Sequence, residues 1–367
     1  MPRPPAILQV LPALDAGGVE RGTLEIAEAI GRTGFRPLVA SAGGRLAAAL
    51  GEAHVTLPLA AKNPLAIWRN AAALEALARR EGVALIHARS RAPAWSALRA
   101  ARRLGLPFVT TYHAAYNEGF PGKRLYNSVM AHGDRVIAIS RFVAEHLQAR
   151  HGTDPARVRV IPRGVDPARF DPAAVDPARV AALRAAWDVP AGAPLLLLPA
   201  RLTRWKGGMV VVEALARLPG AVAVLLGDGR PAFAADLRAR AEALGVAGRL
   251  RLPGHLADVP AALLAADIVL HASTEPEGFG RSVIEAQAMA RPVIASDLGG
   301  PRETVRHGET GWLVPPGDAT ALAGAVQAVL ALDPAARAAI GAAARAGVPT
   351  LRAMQDATLD VYRELLR

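Results

Sequence analysis

The 367-residue sequence contains no cysteine. This absence excludes a disulfide framework, thiolate zinc sites, iron–sulfur clusters and a cysteine nucleophile. Lysine is almost as scarce, because only Lys62, Lys123 and Lys206 accompany 40 arginines. No apolar run approaches the ~18–20 residues that a membrane-spanning helix needs, and the short run after Ala6 is a buried-strand pattern and not a signal peptide. We therefore expect a cytoplasmic protein whose contact with any membrane is peripheral.

Basic charge is concentrated in the first half of the chain. The net charge is +11; residues 1–170 carry 23 Lys and Arg against 12 Asp and Glu, whereas residues 171–367 carry 20 of each. The first half is therefore the part that we expect to meet an anionic partner. Aromatic residues make up only 4% of the chain and no nucleic-acid module is recognisable, so we expect no nucleic-acid partner.

Short apolar runs bounded by Gly or Pro alternate with longer helical patterns. This alternation is typical of parallel sheets that helices cover on both faces. The predicted strands form two series, 7–11, 37–40, 85–87, 108–111 and 135–139, and then 195–199, 221–226, 250–252, 268–271 and 292–295. Between the series, Asp-Pro occurs three times within residues 164–190 and indicates turns and helix starts. The sequence thus predicts an α/β protein with two doubly wound domains, residues 1–170 and 171–349.

The strongest candidate site is the segment EGFGRSVIE, from Glu277 to Glu285. Glu277 is expected in a loop, and Glu285 about one turn inside a helix that begins near Arg281. The first N–H groups of a helix lack intrahelical partners and favour an anion, so this arrangement suits a sugar, a diphosphate and a ribose. The alternative is that both glutamates are ordinary helix-cap and surface charges. The candidates for donor binding here are Gly278, Phe279, Gly280, Arg281, Ser282, Val283 and Glu285.

Basic residues follow the predicted strand 195–199 in the segment RLTRWKGG. The carboxyl end of a strand at a crossover is where α/β folds bind ligands. Lys206 is distinctive because this chain uses arginine at almost every other basic position. A compact ammonium makes a point contact to phosphate, whereas a guanidinium makes a planar fork. Arg201 and Lys206 are therefore candidate phosphate ligands, and the alternative is a solvated basic turn.

Two weaker candidates lie in the first half. Gly17 and Gly18 follow the first strand and open a helix, and paired glycines let the main chain approach a ligand; a plain tight turn is the alternative. His113 ends the fourth predicted strand, where it could bond a ligand hydroxyl or be structural. The segment GDGRPA at 227–232 matches a dinucleotide fingerprint but lies in mid-chain, so we assign it no cofactor. Without Asp-X-Asp or a zinc-spaced histidine pair, we expect no required metal.

In this order, the motifs resemble those of the family-4 retaining glycosyltransferases of the GT-B fold, over nearly the whole chain. The family's Glu-X7-Glu element matches Glu277 and Glu285, and its basic pair matches Arg201 and Lys206. The resemblance implies two Rossmann-like domains facing across a cleft, the first for the acceptor and the second for the nucleotide sugar. A last helix, residues 350–367, would pack back on the first domain.

The resemblance extends to residues of the first half. The family's Gly-Gly loop matches Gly17 and Gly18, its strand-end histidine matches His113, and its interdomain turn matches residues 160–166. Arg163 stands where Asn is usual, which we interpret as a local change. A further departure is HAS at 271–273, where Pro-Ser is usual.

The same resemblance implies a co-substrate, a stereochemical outcome and a role for each site residue. A GDP- or UDP-linked hexose would be the co-substrate, with no cofactor and no metal, and transfer would retain the anomeric configuration. Arg201, Lys206 and the helix start near Ser282 would hold the diphosphate. Glu277 would face the transferred sugar and Glu285 the ribose hydroxyls. His113 would contact the sugar near the reacting centre.

The acceptor is less defined. Residues 110–142 are similar to bacterial transferases of the lipopolysaccharide core, which would imply a Kdo-containing lipid acceptor and mannose as a donor sugar. Residues 62–103 also suit docking on anionic lipid headgroups through basic side chains with interspersed Trp68, Trp95 and Leu98; solvated helices are the alternative. The nine basic residues are Lys62, Arg69, Arg79, Arg80, Arg89, Arg91, Arg99, Arg102 and Arg103. Competing functions are a nucleotide-sugar epimerase or hydrolase, an inactive ligand-binding homologue, and a transferase with a soluble acceptor.

Overall fold

Two parallel sheets organise the computed structural model, which describes residues 3–15, 17–61, 63–116, 118–119 and 122–367. Contacts divide the chain into a first unit, Met1–Arg163 with Leu351–Arg367, and a second unit, Gly164–Thr350. The sequence placed the boundary after residue 170, a few residues later than this division. The Asp-Pro prediction is confirmed, because the Asp176 carboxylate caps a helix by accepting a hydrogen bond from the Ala178 N–H at 2.8 Å.

Within the described residues, seven parallel strands form the sheet of the first unit. They are β1 (Ala6–Val10), β2 (Arg36–Ser41), β3 (His54–Thr56), β4 (Val83–Ala88), β5 (Phe108–Tyr112), β6 (Arg135–Ala138) and β7 (Val158–Val160). Their spatial order is β3-β2-β1-β4-β5-β6-β7. The strand order reverses between β1 and β4, and such a switch point opens a crevice at the carboxyl ends of the strands.

The second unit contains six parallel strands in the part of the chain that the structure describes. They are β8 (Leu195–Pro199), β9 (Val222–Leu226), β10 (Leu250–Gly254), β11 (Ile268–His271), β12 (Val293–Ser296) and β13 (Trp312–Val314). Their order is β10-β9-β8-β11-β12-β13, so the switch point lies between β8 and β11. The prediction of two doubly wound parallel sheets is confirmed.

Helices connect the strands. In chain order they are α1 (Gly18–Gly31), α2 (Pro64–Glu81), α3 (Arg91–Leu104), α4 (Lys123–Ser128), α5 (Arg141–His151), α6 (Pro177–Ala186), α7 (Gly208–Leu215), α8 (Pro231–Ala243), α9 (Val259–Ala265), α10 (Arg281–Ala288), α11 (Pro301–Thr304), α12 (Ala319–Ala331), α13 (Pro334–Ala346) and α14 (Leu351–Leu365). Among the described residues no single helix is both long and apolar enough to span a membrane. Only α12 and α13 together meet that criterion, and they are bent by 113°.

The sequence missed three strands, β3, β7 and β13. Each has three residues and lies at the edge of its sheet, where side chains are half-exposed. β3 (HVT) and β7 (VRV) lack the continuous apolar run that marks a central strand, and β13 (WLV) is apolar but very short. Helix α2 begins at Pro64. Its cap is Asn63, whose side-chain oxygen accepts a hydrogen bond from the Ala66 N–H at 2.8 Å.

The last helix, α14, packs against the core of the first unit. Its residues Met354, Leu359 and Tyr362 join a buried cluster that includes Ile7 of β1 and Ile30 of α1. The cluster explains why α14 belongs to the first unit although it follows the second along the chain.

A buried polar contact adds to this packing. The Tyr362 hydroxyl lies 2.7 Å from Nδ1 of His87, whose Nε2 lies 2.7 Å from the Thr111 hydroxyl. Burial, and then the charges of Arg89 and Arg163, lower the pKa of His87 well below its ordinary range. His87 is therefore a neutral histidine of the core, and it connects β4 to α14.

We expect Tyr362→Phe to destabilise the first unit. The change leaves a buried ring nitrogen of His87 without its partner, which costs about 1–3 kcal/mol. The control is Arg363→Ala on the same helix, which removes only an exposed pair with Asp360 and should change stability by less than about 0.5 kcal/mol. Calorimetric unfolding compares the two variants. Equal unfolding midpoints for the two variants would show that the contact between Tyr362 and His87 does not contribute to stability.

Candidate functional site

The ends of β8 and β11 lie side by side in the second unit. Leu196 pairs with Ile268 and Leu197 with Val269, so the segments that follow the two strands leave the same edge of the sheet. The segment after β8 carries Lys206, and the segment after β11 carries Glu277. The switch point predicted from the sequence as a ligand site therefore brings together residues 71 positions apart.

Close main-chain packing brings Lys206 to this edge. A Cβ added to Gly207 would lie 1.8 Å from the carbonyl oxygen of Ala272, and Gly207 has φ +76°. The Thr274 N–H also donates a 2.8 Å hydrogen bond to the Trp205 carbonyl. A side chain at position 207 would push the two segments apart, so the glycine after Lys206 is required by space as well as by conformation.

The Glu277 carboxylate is the centre of a cluster. Its Oε1 pairs with Nζ of Lys206, accepts a 2.6 Å hydrogen bond from the Ser273 hydroxyl, and lies 2.9 Å from Nε2 of His271. The side chains of Glu277 and Lys206 are only 13% and 16% exposed. The ammonium of Lys206 also lies 4.3 Å from the ring centre of Trp205, at cation–π distance.

These neighbours decide the charge of Glu277. Burial by itself raises the pKa of this carboxyl, but the charges and hydrogen bonds of His271 and Lys206 outweigh burial and hold the pKa well below its usual range. Glu277 is therefore a carboxylate throughout the physiological pH range. A fixed negative charge in a partly dry site can act on positive charge that develops on a substrate.

The loop that carries Glu277 is held against the loop after β12. The Gly300 N–H donates a 2.8 Å hydrogen bond to the Glu277 carbonyl. A Cβ at Gly299 would lie 2.5 Å from that carbonyl, and one at Gly300 would lie 2.5 Å from the Cα of Phe279. The two glycines therefore allow main chains to touch, and Phe279 is buried beneath them at 4% exposure.

Helix α10 begins one residue after Gly280, which has φ +85°. The prediction of free N–H groups over 281–283 needs a correction. The Val283 N–H donates a 3.0 Å hydrogen bond to the Gly280 carbonyl, and the Val283 side chain is fully buried. Val283 is therefore part of the packing of the helix start and not a ligand donor. On the same helix, Arg281 Nε lies 3.6 Å from Glu285 Oε1.

The remaining predicted residues of this unit are placed differently from Lys206. Arg201 is exposed, and its side chain makes no hydrogen bond or ion pair with any residue that the structure describes. Gly278 lies between Glu277 and Phe279 and is buried, whereas Ser282 is partly exposed in the first turn of α10. The structure therefore joins Lys206 with Glu277 and leaves Arg201 free at the strand end.

The glycines of the dinucleotide-like fingerprint have a packing role. A Cβ at Gly227 would lie 2.4 Å from the Ala200 carbonyl oxygen, and one at Gly229 would lie 2.4 Å from Cβ of Leu202. They let the loop after β9 lie against the segment after β8. This packing accounts for the two glycines of the GDGRPA segment.

In the first unit, His113 follows β5 and contacts Arg163. Nη2 of Arg163 lies 2.6 Å from Nδ1 of His113. Burial, and then the charges of Arg163, Arg89 and His87, lower the pKa of His113 well below its ordinary range. Arg163 is 6% exposed, and its interpretation as a local change without loss of activity stays a prediction.

Gly17 and Gly18 are exposed where α1 begins. A side chain at Gly17 would lie 2.6 Å from the Glu20 carboxylate, and its φ of +154° favours glycine. Further along α1, Gly22 makes room for two guanidinium groups, because a Cβ there would lie 2.8 Å from Nη1 of Arg163 and 3.0 Å from Nη2 of Arg89. Arg89 directly follows β4, at the switch point of this sheet.

Sequence reasoning missed His271, Ser273, Arg89 and Arg163 as parts of these clusters. His271 had one available signal, because it ends a predicted strand just as His113 does. Arg89 had none, since 40 arginines hide the few that are buried, and Arg163 was noted only as a departure from the usual asparagine.

Two family models match the chain in succession. The model described as Glycosyltransferase Family 4 matches residues 16–169, and the model described as Glycosyl transferases group 1 matches residues 180–347. The matched ranges correspond to the main parts of the first and second units.

Curated relatives have similar sequences over part of the chain. A D-inositol 3-phosphate glycosyltransferase of Xylanimonas cellulosilytica is 36% identical over 265 residues, covering 67% of this chain and 63% of the relative. The lipopolysaccharide core biosynthesis glycosyltransferase LpsE of Rhizobium meliloti is 37% identical over 186 residues, covering 50% of this chain and 52% of the relative. The chain thus spans between half and two thirds of the length of these relatives.

Solved structures match over the full length. A glycosyltransferase of Rickettsia africae has a TM-score of 0.90 and 36% identity, with 99% of each chain covered. Anabaena HepE in complex with UDP-glucose has a TM-score of 0.86 and 26% identity, covering 98% of this chain and 100% of that chain. With both family models matched in order and a full-length relative at this identity, the chain belongs to the family-4 glycosyltransferases of the GT-B fold.

Proposed function

We propose that the protein transfers a hexose from a nucleoside diphosphate sugar to a lipid-linked or lipopolysaccharide-core acceptor, with retention of the anomeric configuration. The observation that carries the proposal is the pairing of Lys206 with the buried carboxylate of Glu277 at the switch point of the second sheet. An ammonium and a permanent carboxylate in one partly dry site suit a reaction in which opposite charges separate.

The charges have separate tasks in the proposed reaction. The bond from the anomeric carbon to the diphosphate oxygen breaks, and its electron pair stays on that oxygen. Lys206 and the exposed Arg201 stabilise the growing negative charge. Glu277 faces the sugar, where positive charge grows on the anomeric carbon and the ring oxygen. The acceptor hydroxyl forms the new bond on the same face, and its proton passes to the departing phosphate oxygen.

The donor is proposed to be UDP- or GDP-linked. The complex of Anabaena HepE with UDP-glucose makes UDP-glucose the first donor to test. Glu285 lies one turn into α10 from Arg281, in the position proposed to hold the ribose hydroxyls. Thermal-shift measurements with UDP-, GDP- and ADP-sugars identify the nucleotide base that the protein prefers. Mass spectrometry of the products then distinguishes transfer from hydrolysis or epimerisation.

We expect Lys206→Ala to lower kcat by about 10²–10³-fold, because it removes a donor that acts on charge formed in the transition state. Arg201→Ala should act in the same direction. The matched control is Arg204→Ala in the same segment, whose side chain is 78% exposed and pairs with Asp236 on the surface.

Steady-state kinetics with donor and acceptor varied in turn measure these effects. The assignment requires Arg204→Ala to stay near wild type while Lys206→Ala loses turnover. A Lys206→Ala enzyme within a few-fold of wild type would remove Lys206 from the reaction.

We propose that transfer needs no metal ion, because basic side chains supply the positive charge that a metal would otherwise place on the diphosphate. Protein passed over a chelating resin should therefore keep its turnover in EDTA. Added Mg²⁺ or Mn²⁺ should change the rate by less than about two-fold, since it would bind only free donor. Loss of turnover in EDTA and recovery with either ion would contradict this part of the proposal.

The acceptor is proposed to be lipid-linked. LpsE supports an acceptor of the lipopolysaccharide core, whereas the inositol phosphate transferase makes a soluble acceptor the alternative. The surface that we propose for membrane docking is the start of α2, where Leu65 and Trp68 are 57% and 54% exposed beside the exposed Arg69. An exposed tryptophan with a neighbouring cation is typical of interfacial helices.

Several of the nine basic residues already have partners on the protein. Arg80, Arg102 and Arg103 pair with Glu81, Asp134 and Glu75. Arg91 donates to Asn127 at 2.8 Å and lies over the Tyr116 ring, Arg89 is buried, and Lys62 lies outside the described residues. Arg69, Arg79 and Arg99 are the exposed cations that support docking best.

We expect Leu65→Ser with Trp68→Ser to reduce binding to anionic vesicles several-fold, because the double change removes the exposed apolar side chains of α2. The matched control is Leu125→Ser on α4, which removes another exposed apolar side chain of the same unit, 69% exposed, and should leave vesicle binding near wild type. Co-sedimentation with phosphatidylglycerol vesicles at low salt measures binding. If the wild-type protein does not bind these vesicles, the result would support the alternative of a soluble acceptor.

A further inference from the structure

We propose that Arg163 is a positioning residue that fixes His113 as a neutral imidazole with its hydrogen on Nε2. In the proposed transfer reaction, on which this second step rests, His113 is then a hydrogen-bond donor and not a proton acceptor. The proposal starts from one contact within the first unit, the 2.6 Å separation between Nη2 of Arg163 and Nδ1 of His113.

The chemistry of the two groups determines the tautomer. A guanidinium has five N–H donors and no acceptor, so any hydrogen bond that it makes to an imidazole must be accepted by the imidazole. A neutral imidazole has one accepting and one donating nitrogen. Because Nδ1 of His113 faces the Arg163 guanidinium, Nδ1 accepts and the hydrogen is on Nε2. Protonation of Nδ1 would place two donors against each other.

Packing holds Arg163 in this position. The residue lies three positions after β7 and is 6% exposed. Its Nη1 lies 4.0 Å from the sulfur of Met354 on α14 and against Gly22 of α1, where a Cβ would come within 2.8 Å. A long side chain confined by α1 and α14 cannot leave Nδ1 without opening the core of the first unit.

Most other groups around His113 act in the same direction, and a main-chain hydrogen bond with Arg89, which raises the pKa of His113, is outweighed. The charged and titratable groups that face it are Arg163, Arg89, His87 and Tyr116, and its own main-chain N–H lies 3.4 Å from the Tyr116 hydroxyl. Glu25 acts on Arg89. Two buried guanidinium groups and burial itself oppose a third positive charge, so they favour the neutral ring.

The remaining ring nitrogen, Nε2, carries the hydrogen in this tautomer. Nε2 of His113 makes no well-formed hydrogen bond with any residue that the structure describes, although it is buried. A buried N–H that lacks a partner costs free energy, and an oxygen of a bound ligand would satisfy it. A ring that cannot accept a proton leaves the acceptor's proton to the departing phosphate, as the proposed reaction requires.

The test is NMR on the full-length protein labelled at histidine. Long-range ¹H–¹⁵N spectra distinguish the two neutral tautomers, and the His113→Gln spectrum assigns the resonance. We expect the Nε2–H tautomer in wild type, with no titration of His113 between about pH 5 and 8, the range in which an ordinary histidine changes charge. An Nδ1–H tautomer, or titration in this range, would overturn the proposal without any variant of Arg163.

Variants of Arg163 test the cause. Arg163→Lys keeps a charged donor and should keep the tautomer, whereas Arg163→Met removes the donor. We expect Arg163→Met to give a mixture of tautomers and a pKa for His113 that moves toward its ordinary value. The matched control is Arg159→Met, which removes a guanidinium that pairs with Glu364 on the surface of the same unit. If Arg159→Met and Arg163→Met alter His113 equally, the effect is general charge and not positioning.

Kinetics connect the tautomer to transfer. We expect Arg163→Met to lower kcat by about 3- to 10-fold, the effect of one ordinary hydrogen bond, with KM for the acceptor unchanged and rescue by Arg163→Lys. Failure of the proposed function is distinguishable, because the protein would then show the Nε2–H tautomer without any transfer activity. Transfer with unchanged kcat in Arg163→Met would overturn the role of the contact in the reaction.

Discussion

The second unit depends on one buried charge, the carboxylate of Glu277. A carboxylate removed from water is unstable unless donors and cations replace the lost solvent. Here Lys206, Ser273 and His271 do so, and they come from the ends of two neighbouring strands. This requirement explains the surrounding glycines. Gly207 and Gly299 permit main-chain contacts that a Cβ would block, and those contacts bring the donors within reach of the carboxylate.

The parallel sheet makes this convergence possible. Its strands end at a common edge, so residues far apart in sequence meet wherever the strand order reverses. The second unit uses the edge between β8 and β11, and the first unit places Arg89 at the equivalent edge between β1 and β4. In both units a charged side chain that follows a central strand is part of the candidate site: Arg89 directly after β4, and Lys206 in the segment after β8. The fold thus determines where chemistry can occur, and the loops determine which residues supply it.

The sequence predicted what depends on local pattern. Central strands have continuous apolar runs, and Lys206 was recognisable because lysine is rare in this chain. Edge strands such as β7 lack that run. Long-range contacts were beyond prediction for a different reason: the pairing of His271 with Glu277, or of Arg163 with His113, depends on loop conformations that no local pattern specifies. The burial of Arg163 was not predicted, because a substitution for the usual asparagine gives no sign of whether the new side chain is buried.

Each unit fixes the charge state of one titratable group, but by a different physical cause. In the second unit, cationic neighbours lower the pKa of Glu277 and keep it charged above that value. In the first unit, burial and arginines lower the pKa of His113 and keep it neutral above that value. Neither group is therefore expected to change its charge near neutral pH. In the proposed reaction, Glu277 is a fixed charge and His113 a fixed hydrogen-bond donor, and neither is assigned the transfer of a proton.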